Sequence, residues 1–473
     1  MTHLALDRYL NVGEVDSALS GLAAEYPDLS RRVTLPYTTF EGRRYRALVI
    51  GDSSFLGNLL NRPRKPCVFF TACAHAREWG GAEICLSFAA DLLEAYKTGA
   101  GLRYGGAFYD KDTIRRIIDE LYVVVLPCVN PDGRNFSQTY HAEATPEARY
   151  NREMWRKNRS PRGNGVGVDI NRNHSFLWDF RRHFSPYANK SSLASDNPGS
   201  DLFHGHTPNS EPETRNIHWL FDRIDKWPPL VWSTPFGSLA PHWYVDIHSF
   251  SNTVMHVWGH DENQMRDPFT TFATSRYDGK RGTSCRQNEP AAGPQGCTYA
   301  EFIEAEDEAV VSGGAAIMAE AIGKVRGVTY DDIQSFWLKA PSISNDKMPY
   351  PTSGTVTDYA YSRHLTSNAV KAHALVVEFG RYYTDDFPRS FHPPWQEMAE
   401  IIKEVSSGMT ALCHNALTHP TSPGPLGPVQ KPWDWPWKIW VHRIEKIPDM
   451  LKPLAKEAVR FTAAAVQKNL RNM

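Results

Sequence analysis

The stretch Cys67-Val68-Phe69-Phe70-Thr71-Ala72-Cys73-Ala74 is a nearly unbroken apolar run that stops at His75-Ala76-Arg77-Glu78. An apolar run this short reads as a strand covered on both faces of a sheet. Working outward, helical periodicity follows at about 79–97 and again near 111–119, and Leu121-Tyr122-Val123-Val124-Val125-Leu126-Pro127-Cys128 repeats the buried-strand pattern. Arg44–Gly51, Trp243–His248 and Ala372–Phe379 read as further strands, and residues 7–22 as an N-terminal helix. Strands alternating with helices predict an α/β domain on a parallel or mixed sheet.

The chain has 473 residues, 41% of them hydrophobic, and a formal net charge of -1. That is enough apolar material for a large core, which excludes disorder as the general state. Near-zero charge argues against nucleic acid as a partner. There is no run of about 18 apolar residues, so no transmembrane span is expected, and no basic start followed by an apolar segment, so no signal peptide is expected. Seven cysteines make an odd set. Cys67, Cys73, Cys85 and Cys128 sit in apolar runs and read as buried free thiols of a cytoplasmic protein, while Cys285 and Cys297 flank a Gly/Pro-containing loop and leave pairing open. Long polar stretches at 180–210, 226–242 and 259–304 read as loops of the length that carries function.

The composition changes near the C-terminus. The expected organisation is a catalytic domain over 1–415, a Pro-rich linker over 416–436 and a basic helical extension over 437–473. The extension carries Trp437 and Trp440 and an excess of Lys and Arg. It suits packing against the domain or a sister subunit in a homo-oligomer, or lying on an anionic membrane surface.

In an α/β sheet, ligands collect at the carboxyl ends of strands. His75 and Glu78, three apart after such a strand, can converge on one ion, and Asp246-Ile247-His248-Ser249 ends another apolar run. Two histidines and a glutamate leave a fourth position open for water, the pattern of a catalytic rather than a structural zinc. Alone, a His-x-x-Glu pair is weak and also fits the start of a surface helix. Glu378, inside Ala374-Leu375-Val376-Val377-Glu378-Phe379, is harder to explain blandly, because a lone carboxylate in an apolar strand is costly unless paired or functional. No Gly-x-Ser-x-Gly and no phosphate loop are present, which argues against serine hydrolysis and nucleotide cofactors.

Seven landmarks, in order, resemble those of the zinc metallocarboxypeptidases of the carboxypeptidase A/B (funnelin, M14) type. They are His75-Ala76-Arg77-Glu78-Trp79, Asn130-Pro131-Asp132-Gly133, Met154-Trp155-Arg156-Lys157-Asn158-Arg159-Ser160, Gly167-Val168-Asp169-Ile170-Asn171-Arg172-Asn173, Ile247-His248-Ser249-Phe250-Ser251, Tyr350–Tyr359 and Val376-Val377-Glu378-Phe379. The resemblance covers about residues 8–410 and implies a three-layer carboxypeptidase A-like sandwich with loop insertions. It also implies one Zn2+ on His75, Glu78 and His248, and an exopeptidase that removes residues from peptide or protein C-termini. Glu378 would act as general base and Arg156 would face the oxyanion. Arg172, Asn171 and Tyr350 would hold the substrate carboxylate, Arg77 and Phe250 would line the cleft, and Asp169 would hold the outer nitrogen of His75.

Carried over in the same way, the side-chain pocket falls on Met255, Gly259, Thr352, Thr355, Thr357 and Val376. Thr357 stands where an acid would signal a preference for Lys or Arg, so neutral apolar or aromatic C-terminal residues are expected. The family's inhibitory prosegment and one disulfide have no counterpart here, which suggests a chain active once folded. Phe250 replaces a common tyrosine. Two alternatives stand beside this reading: an inactive relative that binds peptide C-termini, and a zinc amidase of peptidoglycan stem peptides or polyglutamate chains.

Overall fold

The computed structural model describes residues 6–51, 65–139, 145–161, 166–225, 242–284, 299–339, 347–367 and 369–418. Cys285, Cys297, nearly all of the predicted 416–436 linker and the whole 437–473 extension lie outside them.

Eight strands form the main sheet: β1 (Ser30–Thr34), β2 (Arg46–Ile50), β3 (Cys67–Ala72), β4 (Tyr122–Leu126), β5 (His242–His248), β6 (Thr253–His256), β7 (Asp331–Gln334) and β8 (Ala372–Glu378). Their order is β1-β2-β4-β3-β5-β8-β6-β7. The central strands β4, β3, β5 and β8 run parallel, while β1, β2 and β6 add antiparallel pairings. Every residue of β3 and β5 is buried, which is why they read as unbroken apolar runs rather than as alternation. The expected strands are all present within a few residues. β1 (Ser-Arg-Arg-Val-Thr) and β7 (Asp-Asp-Ile-Gln) stand at the sheet edges with polar, part-exposed sequences that give no buried-strand signal.

The helices used below are α1 (Val12–Glu25), α2 (Gly80–Thr98), α3 (Lys111–Glu120), α4 (Pro131–Gln138), α5 (Pro212–Asp225), α6 (Ala305–Arg326), α7 (Val356–Thr366) and α8 (Trp395–Thr418). α8 ends at Thr418. Neighbouring residues of a strand point to opposite faces. Phe70 packs on Phe88 of α2 at 5.4 Å and Phe69 on Phe221 of α5 at 5.3 Å, so these helices cover opposite faces and the three layers are in place. On the α2 side, contact is close enough to demand glycine. A Cβ on Gly81 would lie 2.8 Å from that of Ala72, and one on Gly314 of α6 would lie 2.5 Å from the Trp243 ring.

The described part of the stretch 259–304 is mostly turns and bends, with one short pairing. Asn263–Gln264 pairs in parallel with Glu301–Phe302, and His260, Asp261, Arg281 and Glu301 are fully buried. Short paired segments around buried charges leave no apolar pattern for a sequence reading to find.

One buried ion pair ties three parts of the domain together. Arg134 Nη2 of α4 donates to Glu83 Oε1 of α2 at 2.7 Å and to Leu10 O at 2.8 Å, and both charged side chains are fully buried. Arg134→Met is expected to cost about 3 kcal/mol or more by stranding Glu83, whereas Arg134→Met with Glu83→Met costs much less. Urea unfolding midpoints of the two variants test this.

Candidate active site

The parallel register sets the site. Glu378 of β8 pairs directly with His248 of β5, and Thr71 of β3 with Asp246 of β5. The carboxyl ends of β3, β5 and β8 therefore open on one place. After β3 the chain turns through Cys73, held at φ 57, a conformation that costs energy for any residue but glycine. Asn130 steadies the next stretch, donating from its amide to Ala74 O and Lys157 O at 3.1 Å each, while Ala76 N donates to Arg156 O at 2.9 Å. The Asn-Pro-Asp-Gly and Arg156 segments thus support the loop that carries His75 and Glu78.

Three donor atoms converge there. His75 Nδ1 lies 2.7 Å from Glu78 Oε1, His248 Nδ1 lies 2.9 Å from Glu78 Oε2, and the two Nδ1 atoms are 3.1 Å apart. All three side chains are buried. The outer nitrogens face carboxylates, His75 Nε2 at 3.3 Å from Asp169 Oδ1 and His248 Nε2 at 2.7 Å from Asp246 Oδ2. Two imidazoles and a carboxylate with outer nitrogens anchored in this way make a donor set that fits zinc. Burial alone would raise the Glu78 carboxyl, but the two imidazoles hold it well below the carboxylate range. Burial likewise works against Asp169 as an anion, and Arg156 and His75 outweigh it.

Asp246 went unassigned in the sequence reading. The signal was present, since residues two apart on a strand share a face. Its Oδ1 accepts from Thr71 Oγ1 at 2.6 Å, so it is itself fixed.

The donors open into a cleft of about 910 Å3. It is lined by Arg77, Arg156, Asn171, Arg172, Tyr350 and Glu378, and by the pocket positions Phe250, Met255, Gly259, Thr352, Thr355, Thr357 and Val376. Asp169 stands behind it, fully buried. Arg156 is no solvated basic face: its side chain is 13% exposed, and its Nε and Nη2 both lie 3.0 Å from Asp169 Oδ2. Arg172 donates from Nη1 to Asn171 O at 2.8 Å and from Nη2 to Ser192 O at 2.9 Å, while its buried Nε has no partner among the described residues. Asn171 Oδ1 accepts from Val356 N at 3.0 Å at the start of α7. Arg77 lies over the Phe391 ring at 4.3 Å. Glu378 is part-exposed on the cleft wall, where desolvation, only partly offset by His248, pushes its carboxyl up to about 8. An aromatic cluster of Tyr382, Phe387 and Phe391 around Phe250 also lines the cleft; its members lie beyond the quoted landmarks, so motif reading missed them.

A family model for zinc carboxypeptidases, peptidase M14, matches residues 15–406. The chain is 27% identical over 321 residues to carboxypeptidase B of Astacus astacus, covering 63% of this chain and 86% of that protein. It is 29% identical over 261 residues to carboxypeptidase A2 of Mus musculus, covering 55% and 49%. An inactive metallocarboxypeptidase of Arthroderma otae is 26% identical over 226 residues, covering 47% and 30%. The chain therefore spans most of the first relative and half or less of the other two. Among solved structures, carboxypeptidase A of Helicoverpa armigera shares the fold, with a TM-score of 0.54 at 20% identity over 87% of this chain and 76% of that one.

Two outcomes are expected of the donor set. Asp246→Asn should weaken zinc binding about 10–100-fold, read by competition with a fluorescent chelator. Burial works against a charge on His248, but Asp246 and Glu78 hold its pKa well above the usual imidazole value in the metal-free protein. Protons then compete with the metal. Zinc uptake should release protons, and affinity should fall as pH drops from about 8 to 6, in titrations followed by pH-stat.

Proposed function

The chain belongs to the zinc carboxypeptidase family, and on that premise we propose that it is a zinc-dependent exopeptidase that cleaves the last peptide bond of peptides or proteins, favouring neutral C-terminal side chains. The observation that carries the reading is the convergence of His75, Glu78 and His248 in a cleft that also holds Glu378, Arg156 and Arg172.

Bound at His75, Glu78 and His248, zinc supplies a Lewis acid that polarises the scissile carbonyl and acidifies water. Glu378 takes a proton from the attacking water and later delivers it to the leaving amine nitrogen. A carboxyl raised by desolvation suits both halves of that transfer, because its two protonation states lie close in energy near neutral pH. Arg156 is permanently charged and oriented by Asp169, so it faces the charge that develops on the carbonyl oxygen without having to reorganise. Arg172, whose Nε has no hydrogen-bond partner among the described residues, Asn171 and Tyr350 form the receptor for the substrate's terminal carboxylate, and that requirement makes the enzyme an exopeptidase. The side-chain pocket has threonines where a charged substrate would need a counter-charge, which supports neutral C-terminal residues.

Similarity to an inactive metallocarboxypeptidase favours a second reading, capture of peptide C-termini without hydrolysis. Retention of Glu378 beside the donor set supports turnover, since binding alone needs no base.

Glu378→Gln is expected to retain zinc and lose about 10²–10⁴-fold in kcat. Metal analysis and amino-acid release from N-blocked dipeptides ending in Phe, Leu, Arg and Glu provide the test. Chelator-sensitive release favouring Phe and Leu supports the proposal. Wild-type rates in Glu378→Gln contradict the assigned base, and a preference for Arg contradicts the pocket.

A further inference from the structure

The cleft wall at Gly259 is polar. The point where a Cβ on Gly259 would sit is 2.9 Å from Thr352 Oγ1, 3.5 Å from Ser335 Cβ and 3.6 Å from Asp358 Oδ1. The acid among these is already engaged. Asp358 Oδ1 accepts from Gly259 N at 2.9 Å, and Oδ2 lies 3.2 Å from His260 Nδ1, whose Nε2 lies 2.8 Å from Glu301 Oε2. His260, Asp358 and Glu301 are all buried. Burial opposes a charge on His260, but the two carboxylates push it up to about 9, so at neutral pH one imidazolium is shared between Asp358 and Glu301. Both oxygens of Asp358 are therefore engaged before a substrate side chain arrives.

What the wall does offer is hydroxyls. Thr352 and Thr357 line the cleft with hydroxyl-bearing side chains. Thr355 Oγ1 and Ser335 Oγ on the same wall are buried and have no hydrogen-bond partner among the described residues. A side chain entering this space displaces the water that would otherwise satisfy the accessible hydroxyls. A phenyl or thioether leaves them unpaired, whereas a phenol or carboxamide replaces the lost bonds.

Resting on the exopeptidase reading above, we infer that this pocket selects a C-terminal residue whose side chain is uncharged and ends in a hydrogen-bonding group, tyrosine over phenylalanine and glutamine over methionine. Thr352 and Thr357 are the determinants, while Asp358 is already engaged by Gly259 N and His260.

The test measures kcat/KM of the zinc-loaded protein on benzoyl-Gly-Tyr, benzoyl-Gly-Phe, benzoyl-Gly-Gln and benzoyl-Gly-Met. The Tyr/Phe and Gln/Met ratios should each be about tenfold, the effect of one hydrogen bond made rather than left unmade. In the isosteric double variant Thr352→Val, Thr357→Val, both ratios should fall to about 1. Each ratio compares two substrates on the same preparation, so a loss of folded protein does not move it. Ratios of 1 or below in the native protein, or ratios that persist in the variant, overturn the inference while leaving the exopeptidase reading intact. Release of no amino acid from any of the four peptides overturns that underlying reading and this inference with it.

Discussion

Glu78 is a buried carboxylate wedged between two buried imidazoles, each of which meets another carboxylate on its far side. The line Asp169–His75–Glu78–His248–Asp246 alternates acid and imidazole across the ends of β3 and β5. The line concentrates negative charge in a low-dielectric place; the Arg156 guanidinium offsets part of it, and a protonated His248 or a bound metal offsets more. Much of the surrounding structure serves this line. Thr71 fixes Asp246, Arg156 and the Asn171 amide fix Asp169, and Asn130 fixes the loop between β3 and α2.

Sheet register turns this line into a site. Glu378 and His248 are paired residues on adjacent parallel strands, so a one-residue slip would turn Glu378 to the opposite face of the sheet. The apolar bodies of β5 and β8 pin the register, so the core and the chemistry are specified by the same residues.

The sequence carried this part well. Unbroken apolar runs named the central strands, and polar residues ending those runs named the donors and Glu378. The readable signals were those in which burial and function coincide on one short segment. Edge strands were silent because half-exposed strands such as Asp331–Gln334 need no apolar pattern. Asp246 was quoted but not assigned, because its partner relation depends on a strand face rather than on a motif. What the 259–304 loop packs around was not legible, because buried His260, Glu301 and Asp358 meet across distances of 41 and 98 residues that no local pattern records. The aromatic wall around Phe250 likewise forms only when residues 250 and 382–391 are brought together by the fold.

The central claim is that His75 Nδ1, His248 Nδ1 and the Glu78 carboxylate hold a single zinc ion. Diffraction data from crystals of the zinc-loaded protein, collected on both sides of the zinc absorption edge, test it most directly. The account predicts one strong anomalous peak per chain within bonding distance of all three groups, about 2.0–2.2 Å from each. A peak elsewhere, or none at that point in a protein that retains zinc in solution, would contradict it.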